Sequence, residues 1–378
     1  MPKPDRHIDV LVFGEHPSAY LAAAMLRHKT KYRIVHSTIP SEQTPDRLVI
    51  VNPALFELHA LLEPLRRKVE TRAVYGLQFL ADDPAIRSEY RNKSTVTCIG
   101  SYKDLRKAMQ SLAEQQDVEF VTPRHVQVHR VDEHGIEVTL GNQTVHPKAL
   151  ILAGRLADAQ QRILGVPEEW ERGVLHRYSF VKLRGTRLAD LSGRPLLPMS
   201  LDLRGLLSWA WLLPGPHHVQ LAIEQPLEQL PQIKPVELLQ HWAQILHRHG
   251  VFQSPLEVHS DSIESLDFPL AGALAQENLA NRTLLIGPAG GFYSATTEDI
   301  YPNCWSALYA ADVLKKALKE QHLQDALQPF RHRWRTTLGD YLRGPQQNLR
   351  FLLPLVYRNP IMSHRMGEAI LTGASVVR

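Results

Sequence analysis

Cysteine is scarce in this sequence. Cys98 and Cys304 are the two among 378 residues, and they stand far apart without the close spacing of metal ligands, so neither a disulfide framework nor a zinc site is expected. Long apolar runs are missing too. No stretch approaches the length of a membrane span, and the opening "MPKPDRHIDVLVFG" has no signal-peptide core before its first strand, so a cytoplasmic protein without a transmembrane segment is expected. Charge of one sign is not in excess either. Lys and Arg number 43 against 39 Asp and Glu, a formal charge of +4, and the basic residues are scattered, which argues against a nucleic-acid partner. The densest basic patch, "RHRWR" from Arg331 to Arg335, reads as a solvated helix face. With 44% hydrophobic and 22% charged residues, no repeats and no low-complexity segment, the chain is an ordinary globular protein with room for two packed domains or one large one.

What is present is a sequence of recognisable elements. Ile8 to Phe13 is almost wholly apolar, as expected of a parallel strand buried on both faces, and Gly14 ends it. A helix is expected from about Pro17, where the missing N–H does no harm, and a second strand at Tyr32 to Val35. This β-α-β start aims a helix N-terminus at a phosphate. A helical "SYKDLRKAMQSLAEQQ" follows, then alternating "HVQVHRV" and "IEVTL" with turns at "DEHG" and "GN", an antiparallel meander, and the apolar "ALILAG" returns to the parallel sheet. A second body of strands includes "YSFVKLRG", "LLSWAWLL" and "VQLAIEQ". In it, Leu207, Trp209, Trp211 and Leu213 share one strand face. "PVELLQHWAQILHRHG" is an amphipathic helix closed by Gly250. The expected fold class is α/β. A Rossmann-like dinucleotide-binding domain is assembled from residues 1–170 and 281–325, a sheet-rich substrate domain is inserted at 171–280, and a helical segment closes the chain at 326–378.

Three turns carry the chemistry. The dinucleotide fingerprint G-x-G-x-x-G/A falls on Gly14, His16 and Ala19, with Pro17 and Ser18 between, so histidine replaces the middle glycine where a pyrophosphate lies close to backbone. At the end of the second strand, the acid that binds ribose hydroxyls is replaced by His36 and Ser37. The closing segment "GPAGGF" is the third. Gly287, Pro288, Ala289, Gly290 and Gly291 follow a strand and precede a helix expected near Pro302, whose positive end would face an electron-rich ring or an anion.

The order and spacing of these pieces resemble the flavoprotein superfamily of aromatic hydroxylases, geranylgeranyl reductases and flavin-dependent halogenases. The resemblance covers most of the chain: "VLVFGEHPSAYLAAAML", "ALILAGRLADAQQRILGVP", "LLSWAWLLPGPHHVQLAI" and "LLIGPAGGFYSATTEDIYPNCWSALYAADVL". "SWAWLLP", Ser208 to Pro214, is similar to the halogenase G-W-x-W-x-I-P motif, and "VYGLQF", Val74 to Phe79, to the segment carrying their catalytic lysine, here Val74. The superfamily's A-D-G-x-x-S-x-x-R becomes "GRLADAQQR", with Arg155 and Leu156 for its acid and glycine, and the acid of the later G-D motif is Pro288.

The resemblance implies an FAD-dependent oxidoreductase acting on an apolar or aromatic small molecule. FAD would lie with its adenosine end at the first β-α-β unit and its ring near Gly290 to Glu298, facing Trp209 and Trp211. NAD(P)H would visit as a transient reductant, or a flavin reductase would supply reduced flavin. Glu298 and Asp299 are candidates for acid–base work or for capping the closing helix. Tyr293 is a candidate for contact with substrate. Cys304 reads as a thiol in a helix first turn or as a small buried residue. His217 and His218 lack a partner at ligand spacing, so no metal site is expected. "FLLPLVYRNPIM", Phe351 to Met362, reads as a C-terminal helix docking on the core or as a contact for a lipid-like substrate or membrane surface. Two alternatives stand beside the oxidoreductase: a non-catalytic binding protein on the same fold that has lost FAD, and a halogenase without the usual lysine.

Overall fold

Both faces of the first strand are covered, which is why its sequence is apolar. The computed structural model describes residues 7–39, 44–132, 135–154, 156, 158–166, 175–185, 194–269, 278–293, 300–342 and 349–372. In it β1 (His7–Phe13) is buried from Ile8 onward. Two parallel neighbours flank β1: β2 (Ile34–Ser37) on one side and β11 (Gln143–Leu152) on the other. Beyond them lie β8 (Glu119–Val121) and β18 (Thr283–Leu285), also parallel, with β17 (Leu279–Ala280) antiparallel at the edge. β9 (Val126–Asp132) and β10 (Gly135–Leu140) form the expected meander with β11. The order β17-β18-β11-β1-β2-β8 reverses direction at β1, the switch point of a doubly wound fold. The second strand starts two residues later than "YRIV" implied. Pairing of Val10 with Ile34 and Phe13 with Ser37 sets its register, while Tyr32 lies ahead of it and donates its hydroxyl to the Lys315 carbonyl at 3.4 Å.

One face of this sheet is covered by helices. Val10 and Val12 meet α1 (Pro17–Arg27), α2 (Tyr102–Gln115) and α6 (Ile300–Ala317), and the runs Ala22 to Ala24 and Ala310 to Ala311 let α1 and α6 pack close. Leu327, Phe330, Leu338 and Leu342, from α7 (Leu323–Leu327), α8 (Phe330–Arg333) and α9 (Arg335–Leu342), extend the same core. The opposite face carries Leu11 and Phe13 against the meander and Leu164 of α3 (Asp158–Leu164).

A second sheet runs β16 (Glu264–Pro269), β12 (Leu175–Leu183), β15 (Val219–Pro226), β14 (Leu206–Pro214), β13 (Leu197–Leu203), β5 (Gly76–Leu80) and β6 (Arg87–Arg91). Alternation along β14 sorts its side chains. Ala210 and Leu212 face α4 (Pro235–Arg248), whereas Trp209, Trp211 and Leu213 face the other way; the side chain of Leu207 is outside the described residues. β5 and β6 come from within residues 1–170, so the second sheet takes strands from the stretch assigned by sequence to the first domain. A small sheet of β3 (Leu48–Val51), β7 (Thr97–Ser101) and β4 (Thr71–Val74) bridges the two. The C-terminal α10 (Leu349–Arg358) and α11 (Pro360–Thr372) dock on the second sheet through Val356, Met366, Ile370 and Leu371. Among the described residues, no helix is long and apolar enough to cross a membrane.

Candidate functional site

The first turn is shaped by Gly14. Its φ of +118° suits glycine, and a Cβ there would lie 2.8 Å from the Gly154 backbone nitrogen. His16 is the N-cap of α1, 3% exposed, and its Nδ1 accepts from the Ser18 backbone N–H at 3.1 Å and from the Ser18 hydroxyl at 2.8 Å. An accepting Nδ1 places the ring proton on Nε2. The Asn303 side-chain amide on α6 lies 3.4 Å from Nε2. The next amides of the helix are accounted for as well. Pro17 has none, and Ala19 donates to the His16 carbonyl at 2.9 Å. Pro17, Ser18 and Ala19 are all buried.

His36 closes the neighbouring space. It is fully buried at the C-terminal end of β2, donates Nε2–H to the Gly14 carbonyl at 2.8 Å, and stacks on Tyr20 at 4.4 Å with Phe120 at 5.2 Å. Burial pushes its pKa down to about 4, so the ring is neutral near pH 7. Ser37 beside it is buried as well.

The closing segment packs on this corner. Gly287 (φ +55°) opens the short α5 (Gly287–Gly290) and donates its N–H to the Ser306 hydroxyl at 3.0 Å, which in turn donates to the Asn303 carbonyl at 2.6 Å. A Cβ on Gly287 would lie 2.3 Å from the Ser18 hydroxyl oxygen, so this turn and α1 touch directly. Pro288 takes a first-turn position in α5, Ala289 and Gly290 are buried, and Gly291 ends it in the left-handed conformation at φ +69°. Glu298, Asp299 and Arg155 lie outside the described residues. Leu156 is a core residue below the parallel sheet. Cys304 is fully buried in α6 within the helical core.

Tyr293 leaves the turn toward the second sheet. It stacks on Phe268 of β16 at 5.2 Å, and both line a small cavity of about 10 Å³ together with Trp211, Tyr178, Leu213 and Arg47. Trp211 is fully buried, and its indole Nε1–H has no hydrogen-bond partner among the described residues. Trp209 sits beside it at 6.0 Å. Arg47 is 5% exposed and lies over the Tyr102 ring at 4.1 Å. Arg47, Tyr178, Phe268 and Asn303 carry no local motif, and only the tertiary arrangement brings them to the site. Val74 is fully buried in the core under this cavity. His217 pairs with Glu70 at 3.1 Å on the surface, and among the described residues no cluster of His, Cys, Asp or Glu could hold a metal ion.

The switch-point sheet, the meander on one face and the second sheet make a Rossmann-like α/β fold. Solved structures of that fold match most of this chain. It is similar to a geranylgeranyl bacteriochlorophyll reductase-like protein from Thermoplasma acidophilum, with TM-score 0.69 and 14% identity over 89% of this chain and 85% of that one. A probable FAD-dependent monooxygenase from Pseudomonas aeruginosa matches with TM-score 0.64 and 18% identity over 97% and 98%. A flavin-dependent brominase matches with TM-score 0.66 and 14% identity over 95% and 89%. No protein-family model and no curated protein matches the sequence. The likeness at these identities is one of fold.

The corner does not fit resident FAD as it is folded here. A pyrophosphate needs free N–H groups at the start of α1 and space above them. The Ser18 and Ala19 amides have partners within the chain, Pro17 has no N–H, and the buried rings of His16 and His36 lie beside them.

Proposed function

We propose that this chain is an oxidoreductase of the flavin-dependent type, acting on an aromatic or apolar small molecule that carries a hydrogen-bond acceptor. Trp211 carries the reading: a buried indole N–H without an acceptor among the described residues, in the lining of an aromatic cavity of about 10 Å³, favours an acceptor on a ligand that enters by parting the cavity walls. Tyr178, Phe268 and Tyr293 supply flat apolar walls, and the Arg47 guanidinium favours a ligand of negative or strongly polar end. The fold shared with FAD-dependent enzymes supports the reaction class. Because the nucleotide corner is filled, the flavin is best supplied reduced by a separate flavin reductase, with NAD(P)H consumed there. Trp211 then acts as a wall of the pocket, with Trp209 beside it at 6.0 Å. The chain's own part is to bind the substrate, orient it and keep water from it.

The test uses naphthoate and naphthalene as probes, titrated against intrinsic tryptophan fluorescence. Wild type should bind naphthoate more tightly, and Trp211→Phe should remove about a fivefold share of that preference, the scale of one neutral hydrogen bond. Equal affinity of wild type for the two probes would count against the acceptor site. Turnover is then tested with externally reduced flavin in air, read by product mass.

A second reading is favoured by the filled corner: a binding protein on this fold that works without flavin. Probe binding with no product under any flavin supply would select it. The halogenase alternative lacks its ammonium, since Val74 is a buried core residue.

A further inference from the structure

We infer that His16 and His36 are the residues that shut this fold to a dinucleotide, the two side chains standing where a pyrophosphate and an adenosine ribose would otherwise be held. The inference deepens the function proposed above and rests on its reading of the fold, because it explains why flavin must be supplied from outside.

A helix N-terminus attracts phosphate through N–H groups that have no intrahelical acceptor. In α1 the first position is Pro17, which has no N–H; the second N–H is taken by His16 Nδ1, and the third by the His16 carbonyl. The His16 ring therefore does for α1 what an anion would do. It is also held on its far side by Asn303, so moving it aside breaks contacts with two helices. A phosphate entering here has to displace a bonded ring at 3% exposure.

The adenosine side is closed by a separate device. In a doubly wound sheet the residue ending the second strand accepts from the ribose hydroxyls, which requires a carboxylate facing open space. His36 occupies that end of β2, puts no carboxylate there, and spends its Nε2–H on the Gly14 carbonyl. Its ring stacks on Tyr20 and packs at a tilt against Phe120. Closure is thus made by polar bonds and ring stacking together.

The experiment is calorimetric titration of ADP and of FAD into wild type, His16→Gly and the double variant His16→Gly/His36→Asp. Circular dichroism and thermal melting monitor folding. Wild type is expected to show no saturable binding of either nucleotide at millimolar concentration. The double variant should gain ADP affinity by at least about tenfold, the worth of one or two charge-assisted hydrogen bonds. Saturable ADP binding by wild type overturns the inference, as does a folded double variant that gains nothing. If glycine unfolds α1, His16→Ser replaces it, since serine keeps the cap while removing the ring; the same two outcomes then decide. Turnover of aromatic probes with external reduced flavin bears on the proposed function and leaves this inference untouched. Conversely, tight FAD binding by wild type would sink the closure and leave flavin chemistry standing.

Discussion

At the end of β2, His36 keeps its Nε2–H on the Gly14 carbonyl and its ring against Tyr20 and Phe120, and water reaches none of it. A proton added there would be a charge without solvent, so its pKa falls from the ordinary 6.5 to about 4. The folded pKa lies below the unfolded one, so between these values the unfolded chain binds the proton and the folded chain does not. The stabilisation is complete above pH 6.5 and is lost progressively as pH falls toward 4, by up to about 3 kcal/mol. Glutamine can keep the donor to Gly14 without titrating. Denaturant titrations at several pH values should therefore show wild type losing stability relative to His36→Gln across this window. Parallel curves for the two proteins would mean that folding leaves the His36 pKa unchanged.

At the scale of elements, periodicity made most of the architecture legible. The apolar β1, the α1 start at Pro17, the meander and the amphipathic α4 all follow from spacing that a single segment carries. The pairing of β5 with β13 was not legible, because a parallel partner more than a hundred positions away leaves no trace in either strand. The docking of α11 was hidden for a similar reason. Gly367 reads as a weak point in a helix, yet a Cβ there would stand 2.3 Å from Tyr90 Cβ and 2.7 Å from its Cγ. Alanine at that position would gain about 1 kcal/mol in helix propensity, and a β-branched residue gains less while meeting the same ring. Gly367→Val should consequently cost about 1–3 kcal/mol through overpacking and expose the last two helices to limited proteolysis. An unchanged melting temperature and cleavage pattern would place the docking energy elsewhere, on Val356 and Tyr357.

Across the whole molecule, the site is made where three sheets meet, and that meeting is what the sequence conceals. Gly14, Gly287 and Gly291 announce themselves as turn glycines, and the tryptophans of β14 announce a buried face. Histidine at an N-cap, Asn303 behind it and Arg47 beside Trp211 depend on segments distant in the chain, so no local pattern points to them. Gln220 shows how the parts are coupled. From β15 in the second sheet it accepts from the Leu48 backbone N–H at 2.8 Å, and its amide donates to the Leu48 carbonyl at 3.3 Å and to the Tyr178 hydroxyl at 2.9 Å. One fully buried side chain thus imitates a strand edge for β3. Gln220→Leu preserves bulk but leaves Leu48 with an unpaired N–H and an unpaired carbonyl, which should cost roughly 2–4 kcal/mol. Hydrogen exchange locates the loss: the Leu48 amide should exchange much faster in the variant, and the β1 amides, in a different sheet, should keep most of their protection. Equal acceleration in β1 and β3 would show that the sheets open as one unit, and the cavity beside Tyr293 would then share the stability of the whole fold. Faster exchange confined to β3 and the cavity walls would make this junction the part of the molecule that opens first, and the entry for a ligand reaching Trp211.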